Sequence, residues 1–168
     1  MKKLLCLLLA LCLVLSLPAC REDRPSLKKP VNFYFPRVTP TYGTADGFIA
    51  AVPSEGAGYQ DDPVGLLNFY FEGPSDVSFR NAFPVGAQLL SLSVTDGVAQ
   101  LQVNKTFAQL YGLNLTIACA CLTMTVLDLT GADSVVITAR HANLDGQNQI
   151  VMDRSCLTLL DQYTPETT

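Results

Sequence analysis

The chain has 168 residues, 49% of them hydrophobic, and 11 Lys and Arg against 15 Asp and Glu for a net charge of −4. The basic residues crowd toward the start: beyond Val31 only Arg37, Arg80, Lys105, Arg140 and Arg154 face all the acidic residues except Glu22 and Asp23. A body this acidic is repelled by a phosphate backbone, which excludes nucleic-acid binding.

The first residues form an address. Met1-Lys2-Lys3 is basic, Leu4 to Leu17 runs almost without a polar break, and Leu17-Pro18-Ala19-Cys20 follows. A basic start, a short apolar core and a small residue before the cut define a secretory signal peptide. The apolar run is shorter than the roughly 20 residues a membrane-spanning helix needs, and Pro18 breaks it. The Leu-x-Ala-Cys ending resembles the lipobox of bacterial lipoproteins, although Pro18 is a less common choice inside one. That resemblance implies Leu17 and Ala19 as the signal-peptidase motif and Cys20 as the lipid anchor. Residues 1–19 are then removed, taking Cys6 and Cys12 with them, and the mature chain starts at Cys20 on the extracytoplasmic face of the cell membrane. Each buried acyl methylene contributes about 0.8 kcal/mol, so two or more chains hold where one would come off.

Residues 20–30 read as a lipid-anchored linker, polar and Pro-containing, with Arg21, Arg24, Lys28 and Lys29 suited to anionic headgroups or to a solvated spacer. Val31–Phe35 is aromatic and alternating, a strand that Pro36 ends. Residues 37–47 are turn-rich. Phe48–Val52 is a second strand, stopped by Pro53. Asp61-Asp62-Pro63 is a helix start, with either Asp able to cap the first amides and Pro63 in the first turn. Val64, Leu67 and Phe71 follow at helical spacing, and Gly73-Pro74 closes the helix.

Residues 75–88 read as loop. Leu90, Leu92 and Val94 then alternate with Ser91, Ser93 and Thr95, Asp96-Gly97 is a type I′ hairpin signal, and Ala99, Leu101 and Val103 alternate with Gln100, Gln102 and Asn104. Closing on Asp96-Gly97 pairs Val94 with Ala99, Leu92 with Leu101 and Leu90 with Val103. One face is apolar and must be covered, and the other can meet water. Residues 113–129 carry Leu115, Cys119, Leu122, Val126 and Leu129 at helical spacing, with Asn114 as a cap and Gly131 as a stop. The Asn, Thr and Asp128 of this run argue against a second membrane span. Val135–Ala139 is a strand, Leu144-Asp145-Gly146 turns the chain, Ile150–Met152 pairs back, and Cys156–Leu160 is a last short element. Residues 164–168 form a flexible tail.

Cys119, Cys121 and Cys156 remain besides Cys20, so at most one pair can form among them. Cys119-Ala120-Cys121 is not a redox or zinc spacing, and on a helix the two side chains point to nearly opposite faces. They read as small packing residues, with a Cys156 bridge to Cys119 or to Cys121 as the alternative that an export compartment allows. His141, the single histidine, stands beside a strand end, and no phosphate loop or nucleophile elbow is present. Asp133, Asp145 and Gly146 do not reach calcium-loop spacing. The reading assigns no catalytic residue, no metal ligand and no cofactor.

These elements predict an α+β fold, a single compact domain over residues 31–163 with a mixed or antiparallel sheet packed by two helices. Phe71-Glu72-Gly73-Pro74-Ser75, the run from Arg80 to Val94 and Asp96-Gly97-Val98-Ala99 resemble the GerMN domain of sporulation and spore-germination lipoproteins. Leu129–Val135 resembles that family's exit from its second helix into its final strand. The resemblance covers residues 31–146. It implies a fold similar to the ring-building motifs of secretion systems and extracytoplasmic, lipid-anchored proteins without catalytic activity. This chain departs from it in showing one such domain and a second helix rich in Cys and Thr. The expected function is a non-catalytic protein-interaction and assembly module, tied to the membrane and docking onto an envelope protein partner. The alternative is a lipoprotein that binds cell-wall fragments or a small solute, with Tyr34, Tyr42, Tyr59 and Tyr70 as stacking surfaces.

Overall fold

The structure, a computed structural model, describes residues 30–39, 47–54 and 61–160, the last three by backbone alone. Leu17, Ala19, Cys20, the basic linker, Tyr42, Tyr59 and the tail lie outside the described residues. The elements in chain order are β1 (Val31–Pro36), β2 (Ile49–Ser54), α1 (Pro63–Phe71), β3 (Leu89–Thr95), β4 (Val98–Val103), a 3-10 turn (Phe107–Gln109), α2 (Gly112–Thr130), β5 (Ser134–Ala139), β6 (Gln149–Asp153) and a 3-10 stretch (Arg154–Leu160).

The class is α+β. The described strands divide into two sheets, an antiparallel β1–β2 ribbon and a four-stranded sheet in the order β3-β4-β5-β6. The larger sheet is mixed: β3–β4 and β5–β6 are antiparallel, whereas β4–β5 is parallel. A parallel pair needs a crossover, and α2 supplies it. α2 packs against β1 on one side and against β4, β5 and β6 on the other, while α1 packs on β3. The ribbon therefore caps the long helix instead of extending the sheet.

That position explains the composition of α2. Ala118, Cys119, Ala120, Cys121, Leu122 and Thr123 are consecutive and all buried, as are Thr125, Val126, Leu127 and Leu129. A helix that is apolar on every side belongs in a core or a membrane. By length and composition α2 meets the requirement for a span, but here protein encloses it, and Asp128 makes polar contacts to β1 and to the C-terminal segment.

Local chemistry sets the ends of the elements. Asp62 Oδ1 accepts the Gly65 N–H at 2.8 Å, so Asp62, not Asp61, caps α1. Asp96 (φ 51°) and Gly97 (φ 76°) are both left-handed, as a type I′ hairpin requires. α2 ends at Gly131 in the left-handed conformation, its N–H on the Leu127 carbonyl.

Three expectations are corrected. β2 runs through Pro53 to Ser54, because its one partner is β1 and a strand edge tolerates a residue without an N–H. Val103 pairs with Leu89, not Leu90, and a bulge between Leu89 and Ser91 absorbs Leu90. The cause is Asn68 of α1: its Oδ1 accepts the Leu89 N–H at 2.8 Å and its Nδ2 donates to the Leu89 carbonyl at 3.1 Å, taking the place of a strand neighbour. Asn114 is not the cap of α2. The helix opens after Tyr111, and Asp145 Oδ2 accepts the Gly112 N–H at 3.0 Å from a turn far along the chain.

Candidate functional site

The outward face of the larger sheet follows from strand alternation. Ser91 and Ser93 on β3, Gln100 and Gln102 on β4, Val136 and Thr138 on β5, and Gln149 and Val151 on β6 point away from the core. Register sets them in two rows across all four strands. One row is Ser93, Gln100, Val136 and Val151, and the other is Ser91, Gln102, Thr138 and Gln149. Together with Leu101, seven of these residues line a shallow concavity of about 350 Å³. Its lining holds hydroxyls, carboxamides and one valine, without a charge. Val151 is 55% exposed beside Val136, so one row ends in an apolar pair at the β6 edge. Thr138 donates its hydroxyl to the Leu101 carbonyl at 2.9 Å, which fixes one side chain of the face. The arrangement can exchange hydrogen bonds and bury two valines; it has no group that moves a proton near neutral pH.

A second polar assembly lies on the other side of α2. Tyr34 donates its hydroxyl to Asp128 Oδ2 at 2.6 Å, and Arg154 Nη2 donates to Asp128 Oδ1 at 2.6 Å. Asn32 Nδ2 reaches Asp128 Oδ2 only at 3.5 Å, at the limit of a useful bond. Burial works to raise the Asp128 pKa, but the bonds from Tyr34, Arg154 and Asn32 and the Arg154 charge outweigh it and hold the carboxyl below its usual range. The same environment, with burial foremost and then the bond and charge of Asp128, pushes Tyr34 up to about 12. One carboxylate thus ties β1, α2 and the segment after β6 together. The cluster is a brace: Asp128 has both oxygens committed.

The residues singled out from sequence fall in separate places. Tyr70 is fully buried within a cluster of rings, its centroid 4.9 Å from those of Phe33 and Phe35 and 5.0 Å from that of Phe83. Tyr34 is committed to Asp128. Tyr70 therefore offers no open stacking surface for a sugar, and it drops out of the ligand-binding expectation. His141 is exposed in a turn. Among the described residues, no three His, Cys, Asp or Glu side chains gather as a metal site. Cys119 and Cys121 are buried and Cys156 is exposed, all three as free thiols. Sequence reasoning missed the roles of Asp128 and Asp145. The one signal for Asp128 was an acidic residue inside an apolar helical run.

The molecule is thus an α+β body in which a ribbon, a core helix and a mixed sheet hold the Asp128 brace and an open polar concavity. The chain matches the Germane model, described as sporulation and spore germination, over residues 32–145, and it belongs to that family. Its fold is similar to the first GerMN domain of the sporulation protein GerM from Bacillus subtilis, with a TM-score of 0.57 at 13% identity, covering 75% of this chain and 96% of that one. It is also similar to the tandem GerMN domains of the same protein, with a TM-score of 0.50 at 18% identity, covering 79% of this chain and 47% of that one. No curated protein sequence matches the chain.

Proposed function

We propose that this protein is a non-catalytic, lipid-anchored module on the extracytoplasmic face of the membrane, which docks onto a second envelope protein in sporulation or spore germination. The observation that carries the reading is the outer face of the four-stranded sheet, where two register-aligned rows of Ser, Thr and Gln side chains, one of them ending on Val136 and Val151, line a concavity without a charge. Charged residues are depleted at the centres of protein interfaces, and hydrogen-bonding side chains there fix the register of the partner. Membership of the Germane family supports the cellular setting. The signal-like start ending in Leu17-Pro18-Ala19-Cys20 supports the anchor. Ligand capture through tyrosines is the weaker reading, because Tyr70 is fully buried.

A photo-crosslinking residue placed at Gln100 or Gln102 in living cells tests the face, with Val77, 91% exposed on a loop, as the reference position. The expected result is a discrete protein adduct from the sheet positions and none from Val77. Adducts to cell-wall material alone, or equal labelling from Val77, overturn the reading. Cys20→Ser should release the protein from the membrane fraction, and a variant that stays membrane-bound refutes the anchor.

A further inference from the structure

We propose that Cys119 and Cys156 form a disulfide in the exported protein, stapling the segment after β6 to the core helix. Both thiols line one cleft of about 320 Å³ between the first half of α2 and β6, which also takes in Leu115, Ile150 and Met152. Cys119 is 1% exposed and forms part of its wall, whereas Cys156 is exposed at its margin. Cys121 is fully buried and does not line the cleft. It lies two residues on, nearly across the helix from Cys119, on the side where its thiol acts electrostatically on Tyr70. The sequence leaves two partners open for Cys156. The fold puts one of them in the same cleft and turns the other toward α1.

The segment bearing Cys156 is one that a covalent tie would serve. β6 is an edge strand with β5 as its one strand neighbour. The turn after it is held by Asp153, whose Oδ1 accepts the N–H groups of Ser155 at 2.8 Å and Cys156 at 3.2 Å, and by the Arg154–Asp128 pair. Arg154 is 62% exposed in that pair, so its contribution is screened and small. A bridge needs the two Cα atoms within roughly 4.4–6.8 Å, so the bond forms as the 3-10 turn that borders the cleft closes onto α2.

The chemistry is thiol–disulfide exchange with a disulfide oxidant, RSSR, of the kind an export compartment holds. The exposed Cys156 thiolate attacks RSSR, forms a mixed disulfide and releases RS⁻. The Cys119 thiol then loses its proton to solvent and attacks the Cys156 sulfur, forming the Cys119–Cys156 bond and releasing the second RS⁻. Two thiols are oxidised, and one RSSR is reduced to two RSH. Burial pushes the Cys119 thiol up to about 12, which assigns it the second, resolving step.

The test uses the full chain purified in detergent and equilibrated with oxidised and reduced glutathione, then alkylated, digested without reductant and mapped by mass spectrometry. The same mapping is run on protein alkylated in cells before lysis. The expected result is a Cys119–Cys156 linkage in the wild type and in Cys121→Ala, absent from Cys119→Ala, with circular dichroism confirming that the variants fold. Fragment ions from the wild type alone distinguish Cys119 from Cys121 if a variant fails to fold. Oxidation should raise Tm by about 5–10 °C. A Cys121–Cys156 linkage, a Cys156 recovered solely as its glutathione adduct, a chain found reduced in cells, or a linkage that leaves Tm unchanged overturns the proposal.

Discussion

The buried hydroxyl of Tyr70 on α1 donates to the main-chain carbonyl of Tyr34 on β1 at 2.5 Å. The Tyr34 N–H is in turn taken by Thr125 Oγ1 of α2 at 3.1 Å, and the Thr125 hydroxyl bonds to that of Tyr70. Among the described residues no strand lies beside the inward edge of β1, and two helices satisfy its backbone with side chains. A buried carbonyl left without a donor costs about 1–3 kcal/mol. Tyr70→Phe keeps the ring packing and should destabilise the protein by that amount, read from the urea midpoint at unchanged slope.

Asp128 makes stability fall in acid. Its pKa in the folded protein is held below the usual value, so its contribution is present above the ordinary carboxylate pKa and is lost as pH falls through the lower, folded one. Asp128→Asn should lower stability at pH 7 and flatten the acid limb of a stability-against-pH curve. An acid limb as steep in the variant as in the wild type would remove Asp128 from this role.

Tyr34 gives the opposite limb. With its pKa raised to about 12 from the ordinary 10.0, the protonated phenol is favoured by folding. Its contribution is complete below pH 10 and is lost as pH rises through about 12. Tyrosinate absorbance followed in Tyr34→Phe and wild type should show one group missing from the late part of the titration.

Gly97 accepts two N–H groups from the strand entry, Asp133 at 2.7 Å and Ser134 at 3.3 Å. It does so at a φ of 76°, and a Cβ there would strike the Asp133 carboxylate. Gly97→Ala should therefore cost about 1–3 kcal/mol, more than Asp96→Ala at the exposed neighbouring position, as measured by thermal unfolding.

The reduced thiols should divide by burial. Burial raises Cys119 to about 12, and burial first and the nearby Cys119 second raise Cys121 further. Iodoacetamide at pH 8 should label Cys156 in the native reduced protein and reach Cys119 and Cys121 only after denaturant is added, as resolved by peptide mass.

The parts of the fold that were readable from sequence were those written in neighbouring residues. Asp61-Asp62-Pro63 starts α1, with the capping Asp left open between the two, Asp96-Gly97 closes a hairpin whose two sides alternate at period 2, and Gly131 stops α2. Each rests on φ preference, a local hydrogen bond or the spacing of apolar side chains. The outer face of Ser and Gln was readable for the same reason, since strand alternation alone separates it from Leu92 and Leu101.

The sequence by itself determined the α+β class, the hairpin turn, the start of α1 at Asp61-Asp62-Pro63, the stop of α2 at Gly131 and the family resemblance. Only the tertiary structure decided that β1 and β2 leave the sheet to cap α2, that Asn68 takes the place of a strand beside Leu89 and shifts the register at Leu90, and that Asp145 caps α2 in place of Asn114. It likewise decided that Asp128 braces three segments and that Cys119, not Cys121, shares a cleft with Cys156. The physical reason is distance along the chain: Tyr34 and Asp128 are 94 residues apart, and a hydrogen bond between such residues depends on how the helix and the strand pack, which no local pattern of either segment records.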